Sequence, residues 1–208
     1  MRPTILIVDD CENIRFTLKE ICSYAHWDVI EASTGKEAVD IFHVMEPDVI
    51  LIDYHMPEWD GLRTTKEIRK LNEHVPIIIL TVDDRQKIAD KFIKEGATDF
   101  ALKPIKAPDL ISRIRVNLKI GQLTKKDNNV FVEKGINEKT LRSIKLFLIK
   151  QDKPVTIDDM VEKLPVSYQT INRYLNYLEA EGMLQVILEY GRTGRPKNWY
   201  RLQITQIS

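Results

Sequence analysis

The stretch Thr4-Ile5-Leu6-Ile7-Val8-Asp9-Asp10 decides how this chain folds. Consecutive apolar and β-branched residues leave no face for water, so the segment reads as a strand buried on both sides, ended by two aspartates. A helix-period stretch follows, with Ile14, Leu18, Ile21 and Cys22 on one face. Further strand-like runs fall near 28–32, 48–52, 76–80 and 98–102, and helix-period segments near 35–45, 61–72, 84–95 and 108–119. Strand followed by helix, five times over, predicts an α/β domain built on a doubly wound five-stranded parallel sheet. Ligands meet such a sheet at the carboxyl ends of its strands.

The pattern stops at 119–135. Lys125-Lys126-Asp127-Asn128-Asn129 is polar and turn-prone, and Gly121 and Gly135 bracket it, which marks a linker. With 208 residues the chain has room for two domains. The sequence therefore divides into 1–120, a linker at 121–135, and a second domain at 136–208. In the second part Leu141, Ile144, Lys145, Leu148 and Ile149 mark an amphipathic helix. Thr156-Ile157-Asp158-Asp159 has capping-box spacing and opens a short helix ending at Leu164-Pro165. Ser167 caps a third helix with the stripe Ile171, Leu175, Leu178, which Gly182 stops. Two strands, 183–190 and 198–202, are joined by a turn at 191–196. Three helices and a hairpin describe a C-terminal winged helix-turn-helix domain.

Charge separates the two parts. Residues 1–120 carry 17 Lys+Arg against 21 Asp+Glu, and residues 121–208 carry 14 against 10, so the basic part is the better candidate for meeting a polyanion. The longest apolar run, Ile77–Leu80, is far too short to span a bilayer, and Met1-Arg2-Pro3 runs straight into the first strand. No membrane role and a cytoplasmic location are expected. Cys11 and Cys22 make neither a disulfide framework nor a zinc pattern.

The chemistry gathers at the strand ends. Asp9 and Asp10 end the first strand and Asp53 the third, and in an order-reversing sheet these strands are neighbours. Converging carboxylates repel at reduced dielectric, so a cation must share the site or the pKa values must rise. Mg²⁺ fits, because it takes oxygen ligands, accepts few from protein and keeps its waters. Asp10 is expected to bind it directly, Asp9 through a water, and Asp53 and the backbone carbonyl of His55 to complete the protein ligands. Lys103 ends the fifth strand and brings an ammonium to the same mouth, and Thr81 ends the fourth with a hydroxyl. Such a site suits a tetrahedral anion, with Asp53 as a nucleophile toward phosphorus that needs no separate base.

Taken together, Asp9-Asp10, Asp53-Tyr54-His55-Met56-Pro57-Glu58-Trp59-Asp60-Gly61, Thr81 and Lys103-Pro104 resemble the receiver domain of bacterial two-component response regulators. The resemblance spans residues 4 to 119 and implies a flavodoxin-like sheet, a sensor histidine kinase as phosphoryl donor to Asp53, and a cis Lys103-Pro104 bond. It also implies that Thr81 and Phe100 form a switch. Phosphorylation adds roughly two negative charges and three acceptor oxygens, the Thr81 hydroxyl turns inward, and the ring of Phe100 follows it.

In the basic part the third helix must face inward with Ile171, Leu175 and Leu178, leaving Tyr168, Gln169, Asn172, Arg173 and Asn176 outward, with Ser167 and Thr170 in the first turn. Gln and Asn can pair with adenine and Arg with guanine or phosphate, and Arg192, Arg195 and Lys197 cluster about the wing turn, where they could hold phosphates. Residues 137–203 resemble the output domain of the citrate/dicarboxylate-responsive regulators, with their Gly194-Arg195-Pro196 wing. Double-stranded promoter DNA is the expected partner, engaged by a homodimer when phosphorylated. Asp53 could also serve a Mg²⁺-dependent phosphatase or phosphotransferase. Such an enzyme needs a substrate cap, and every loop here is too short for one. The reading is a transcription regulator and not an enzyme.

Overall fold

Strand β1 (Thr4–Val8) is buried along its whole length, as five apolar or β-branched residues in a row require. It lies at the centre of a five-stranded parallel sheet of order β2-β1-β3-β4-β5, with β2 at Asp28–Ala32, β3 at Val49–Asp53, β4 at Ile77–Thr81 and β5 at Asp99–Leu102. The computed structural model describes residues 2–125, 136–189 and 197–203. Helices α1 (Glu12–Tyr24), α2 (Gly35–Met45), α3 (Gly61–Leu71), α4 (Gln86–Lys94) and α5 (Ala107–Lys125) connect or follow the strands. The strand-to-helix alternation and both-face burial expected from the sequence are therefore present.

Pleating sends alternate strand residues to opposite faces. Ile5, Ile7, Val49, Leu51, Ile78 and Leu80 meet Leu18 and Cys22 of α1 and Leu110, Ile114 and Leu118 of α5 in one apolar cluster. Local signals set the helix ends. The Thr34 hydroxyl caps α2 by accepting from Glu37 N–H, and the Asp60 carboxylate caps α3 by accepting from Arg63 N–H at 2.7 Å. Helix α4 begins two residues later than its apolar period suggests, because Asp83 and Arg85 hold residues 83–85 in a turn. Helix α5 runs to Lys125, so the start of the segment read as linker is helical. Gly121, read as a bracket of that linker, is instead buried where a Cβ would meet Pro76 at 3.1 Å.

The chain divides into two compact units, Met1–Asn129 and Val130–Ser208. In the second, α6 (Glu138–Ile149), α7 (Ile157–Lys163) and α8 (Tyr168–Ala180) precede an antiparallel pair, β6 (Leu184–Glu189) and β7 (Lys197–Leu202). The Thr156–Asp159 capping box is formed in full, and Gly182 takes φ +70° just beyond α8. Val155 bridges Tyr200 by two backbone hydrogen bonds of 2.9 and 2.7 Å, adding a third, one-residue strand to the hairpin. The core joins Leu141, Ile144 and Leu148 to Ile171, Leu175 and Leu178, all under 9 % exposed. Tyr174 also belongs to it, 1 % exposed, its hydroxyl accepting from Asn137 N–H at 2.7 Å.

One glycine fixes the loop behind the Asp53 strand end. Gly61, the first residue of α3, donates to Tyr54 O at 3.0 Å, and a Cβ there would lie 2.6 Å from Asp53 O. Alanine normally stabilises a helix over glycine by up to about 1 kcal/mol, but a backbone clash costs about 1–3 kcal/mol. Gly61→Ala is expected to lower the stability of the first unit in urea unfolding; an unchanged or raised midpoint would contradict this account of the loop.

Candidate functional site

The ends of β1, β3, β4 and β5 bring the acidic and basic groups to one mouth. Asp53 is the last residue of β3 and Thr81 the last of β4, while Asp9 and Lys103 directly follow β1 and β5. Because β1 and β3 are paired neighbours, one carboxylate oxygen each from Asp9, Asp10 and Asp53 lies within 4.8 Å of the others. Asp9 and Asp53 are buried, and Asp10 is exposed at the rim. The Lys103 ammonium donates to Asp9 Oδ2 and lies against Asp53 Oδ1, each at 2.9 Å. The Lys103-Pro104 bond is cis, and Lys103 N–H donates to Thr81 O at 2.7 Å.

The electrostatics follow from this crowding. Burial pushes the Asp53 carboxyl above the usual carboxylate value; contact with Lys103 works against the rise, and the charges of Asp9 and Asp10 add to it. For Lys103 burial disfavours the charge, but hydrogen bonds to Asp53 and Asp9 prevail and raise its pKa. One ammonium thus offsets only part of three negative charges. The cluster supplies hard oxygen donors at close range and a deficit of positive charge. That donor set fits a divalent cation such as Mg²⁺, and the acidic triad is positioned to coordinate one.

Two supports of the site carry no sequence signal. Cys11 N–H donates to Asp9 Oδ1 at 2.9 Å, and Arg15 Nη1 donates to Asp9 O at 2.8 Å, so the start of α1 orients the end of β1. Arg15 sits in the helical pattern as one more charged residue, and only the turn back over the strand end brings it to Asp9. The Thr81 side chain is 1 % exposed, and its Oγ1 accepts from Asp83 N–H at 3.0 Å. The ring of His55 lies 4.4 Å from that of Tyr54. Tyr54, Phe92 and Phe100 form an aromatic row, with ring centroids 5.0 and 6.3 Å apart, and Phe100 is half-buried.

In the second unit Ser167 caps α8, its Oγ accepting from Thr170 N–H at 3.4 Å. Tyr168, Gln169, Arg173 and Asn176 are exposed, and Thr170 and Asn172 are half-buried on the same helix. The Arg173 guanidinium lies 5.3 Å above the ring of Tyr174. Tyr174 is missing from the apolar stripe read from the sequence although its spacing from Ile171 and Leu178 fits that stripe, because its polar hydroxyl argues against burial until the Asn137 N–H partner is seen. Lys197 is the first residue of β7 and not of the turn, with its ammonium 5.5 Å from the Trp199 ring. Arg192 and Arg195 lie outside the described residues.

No helix among the described residues is long and apolar enough to cross a membrane. The response regulator receiver domain family matches residues 5–115, just over half of the chain, and a helix-turn-helix domain family matches residues 140–194. A relative from Priestia megaterium, described as "Probable C4-dicarboxylate response regulator DctR", is 28 % identical, with 97 % of each chain covered. The chemotaxis protein CheY of Thermotoga maritima is 35 % identical over 55 % of this chain and 96 % of its own. Among solved structures, the receiver domain of Francisella response regulator 1452 superposes with a TM-score of 0.55 at 33 % identity, covering 57 % of this chain and 98 % of that one. With its three aspartates gathered at the strand ends ahead of a helix-turn-helix unit, the chain belongs to the response regulator receiver family, as a two-component response regulator and not a turnover enzyme.

Proposed function

We propose that Asp53 is the phosphoacceptor of a transcription regulator, and that its phosphorylation changes how the C-terminal winged helix engages promoter DNA. The observation that carries this reading is the Lys103 ammonium held 2.9 Å from both Asp9 and Asp53 beside the three-carboxylate cluster. A sensor histidine kinase is the donor. An Asp53 carboxylate oxygen forms a bond to phosphorus as the phosphorus–nitrogen bond of the donor histidine breaks, and the electron pair stays on the imidazole nitrogen. Lys103 turns from Asp53 to the equatorial oxygens while it keeps Asp9. When bound, Mg²⁺ would supply the remaining neutralising charge; Asp10, Asp53 and the His55 carbonyl would hold it, with Asp9 acting through a water. Thr81 offers its hydroxyl to the phosphoryl group, and Phe100 follows into the space that Thr81 leaves.

The domain reading is a receiver at 1–120 whose last helix continues to Lys125, a linker in the rest of 121–135 and a DNA-binding domain at 136–208. Ser167, Tyr168, Gln169, Thr170, Asn172, Arg173 and Asn176 form the face that enters the major groove, and Arg192, Arg195 and Lys197 hold phosphates from the wing. The phosphorylated chain acts as a homodimer, which raises the local concentration of the second DNA-binding unit. Exposed Ile93, Leu102 and Val116 on the adjacent elements α4, β5 and α5 support a receiver-mediated pair. Arg113 of that face is occupied within its own chain by Asp99 at 2.9 Å and Asp109 at 3.2 Å.

Three outcomes test the reading. Acetyl phosphate with Mg²⁺ is expected to label the full chain once, at Asp53, with no label in Asp53→Asn or in excess chelator. DNA footprints should respond to that label in the wild type alone; an identical response in Asp53→Asn would remove the assignment. Second, the raised Asp53 pKa means that ionising this group costs folding stability. That cost is full above the raised native value and vanishes as pH falls into the ordinary carboxylate range. In chelator, Asp53→Asn should melt higher than the wild type at neutral pH, the gap should close on acidification, and Mg²⁺ should stabilise the wild type more than the variant. Third, Arg173→Ala should weaken promoter binding by about 1–3 kcal/mol in a gel-shift titration, and no change would move the DNA face elsewhere.

A further inference from the structure

The loop between β4 and α4 ties the Thr81 hydroxyl to the start of a helix by an unbroken set of bonds. Asp83 N–H donates to Thr81 Oγ1 at 3.0 Å. The Asp83 carboxylate in turn accepts from Arg85 N–H at 3.0 Å and from Arg85 Nε at 2.9 and 3.1 Å, and Arg85 Nη2 completes a two-pronged contact. Arg85 occupies the N-cap of α4 and makes no side-chain cap bond of its own. Arginine is a poor residue for that position. The Asp83 carboxylate instead holds the N–H of the N-cap residue itself from two residues upstream, and the guanidinium locks it there.

We propose that Asp83 and Arg85 form a latch that pins the Thr81 hydroxyl to the loop between β4 and α4 and couples its release to the first turn of α4. The proposal rests on the reading of Asp53 as phosphoacceptor and Thr81 as the hydroxyl that turns toward the added group. For Thr81 Oγ1 to make that turn, either its bond from Asp83 N–H breaks or the loop moves with it, and the clamp on Asp83 sets how readily both happen. Arg85 holds the Asp83 carboxyl down at about 2, as the two-pronged contact with the guanidinium requires. Asp83 and Arg85 act through Thr81 and are positioning residues. A phosphoryl group at Asp53 thereby reaches α4 along a route separate from the aromatic row that ends at Phe100.

The sign of one effect separates this role from simple charge. Arg85 is an exposed cation near an anion site, and a direct electrostatic role predicts that its loss weakens anion binding. A latch predicts the reverse, because opening it removes a cost of the bound state. The probe is beryllofluoride, a tetrahedral mimic of the phosphoryl group, titrated with Mg²⁺ into the full chain and read by the ¹⁹F resonance of the bound species. Arg85→Ala and Asp83→Ala are each expected to bind it roughly two- to five-fold more tightly than the wild type, as suits an exposed ion pair. The double variant should gain no more than either single one, since both break the same contact. Arg85→Lys, which keeps the charge and loses the fork, should behave like Arg85→Ala. Mg²⁺ affinity measured alone should be unchanged in all four. Equal or weaker beryllofluoride binding in Arg85→Ala overturns the latch while leaving the phosphoacceptor reading intact. A wild type that binds no beryllofluoride, or binds it as well in Asp53→Asn, overturns that reading and the latch with it.

Discussion

The structure of the first unit depends on one ammonium shared by two carboxylates from different strands. Two unit charges 4.8 Å apart, the span of the cluster, repel by about 3–4 kcal/mol at an effective dielectric near 20. Three such charges at the mouth of a sheet would push β1 and β3 apart at their carboxyl ends. Lys103 reaches over from the end of β5 and meets both Asp9 and Asp53 at 2.9 Å, crossing the place where β4 separates β5 from β3. Its own position is set by the backbone bond from Lys103 N–H to Thr81 O. The sheet order, the close approach at Gly61 and the turn at Asp83 all serve to bring these few groups to one place. The balance is incomplete by design of the fold, since one cation cannot neutralise three acids, and that deficit is what gives the site an appetite for a metal.

Much of this was legible in the residues. Both-face burial in β1, β3 and β4 follows from unbroken apolar runs, and the aspartates that end β1 and β3 locate the acidic mouth from the sequence alone. Strand adjacency was legible too, because a sheet of this type reverses order about its first strand and puts β1 beside β3. What the sequence did not display are contacts made by turns. Arg15 and Cys11 reach Asp9 only because the chain doubles back at the start of α1, and nothing in their spacing marks it. The end of α5 differs from the sequence reading for a physical reason: Gly121 looks like a helix breaker, yet packing against Pro76 rewards the absence of a side chain there. Tyr174 fits the period of Ile171, Leu175 and Leu178, and it is its polar tip that hides its burial, while the one-residue strand at Val155 carries no period; their roles emerge from the partners Asn137 and Tyr200.

The deficit at the mouth also explains why a covalent change there is a better signal than a bound ligand. A carboxylate has one negative charge, and a phosphoryl group in its place has roughly two, with three acceptor oxygens where there were two. Lys103 already serves Asp9, so it cannot satisfy all the new acceptors, and the next donor in reach is a hydroxyl at the end of the adjoining strand. That hydroxyl oxygen accepts from Asp83 N–H, and the Lys103 backbone N–H donates to the carbonyl of the same residue. Thr81 therefore links the backbone that carries Lys103 to the loop that leads to α4. A rigid scaffold of buried β-strands, with every strand residue from Val49 to Asp53 and from Ile77 to Thr81 buried, does not yield to the added charge. The exposed loop at 82–85 and the half-buried ring of Phe100 do yield, so the signal leaves the site through the least tightly packed groups around it.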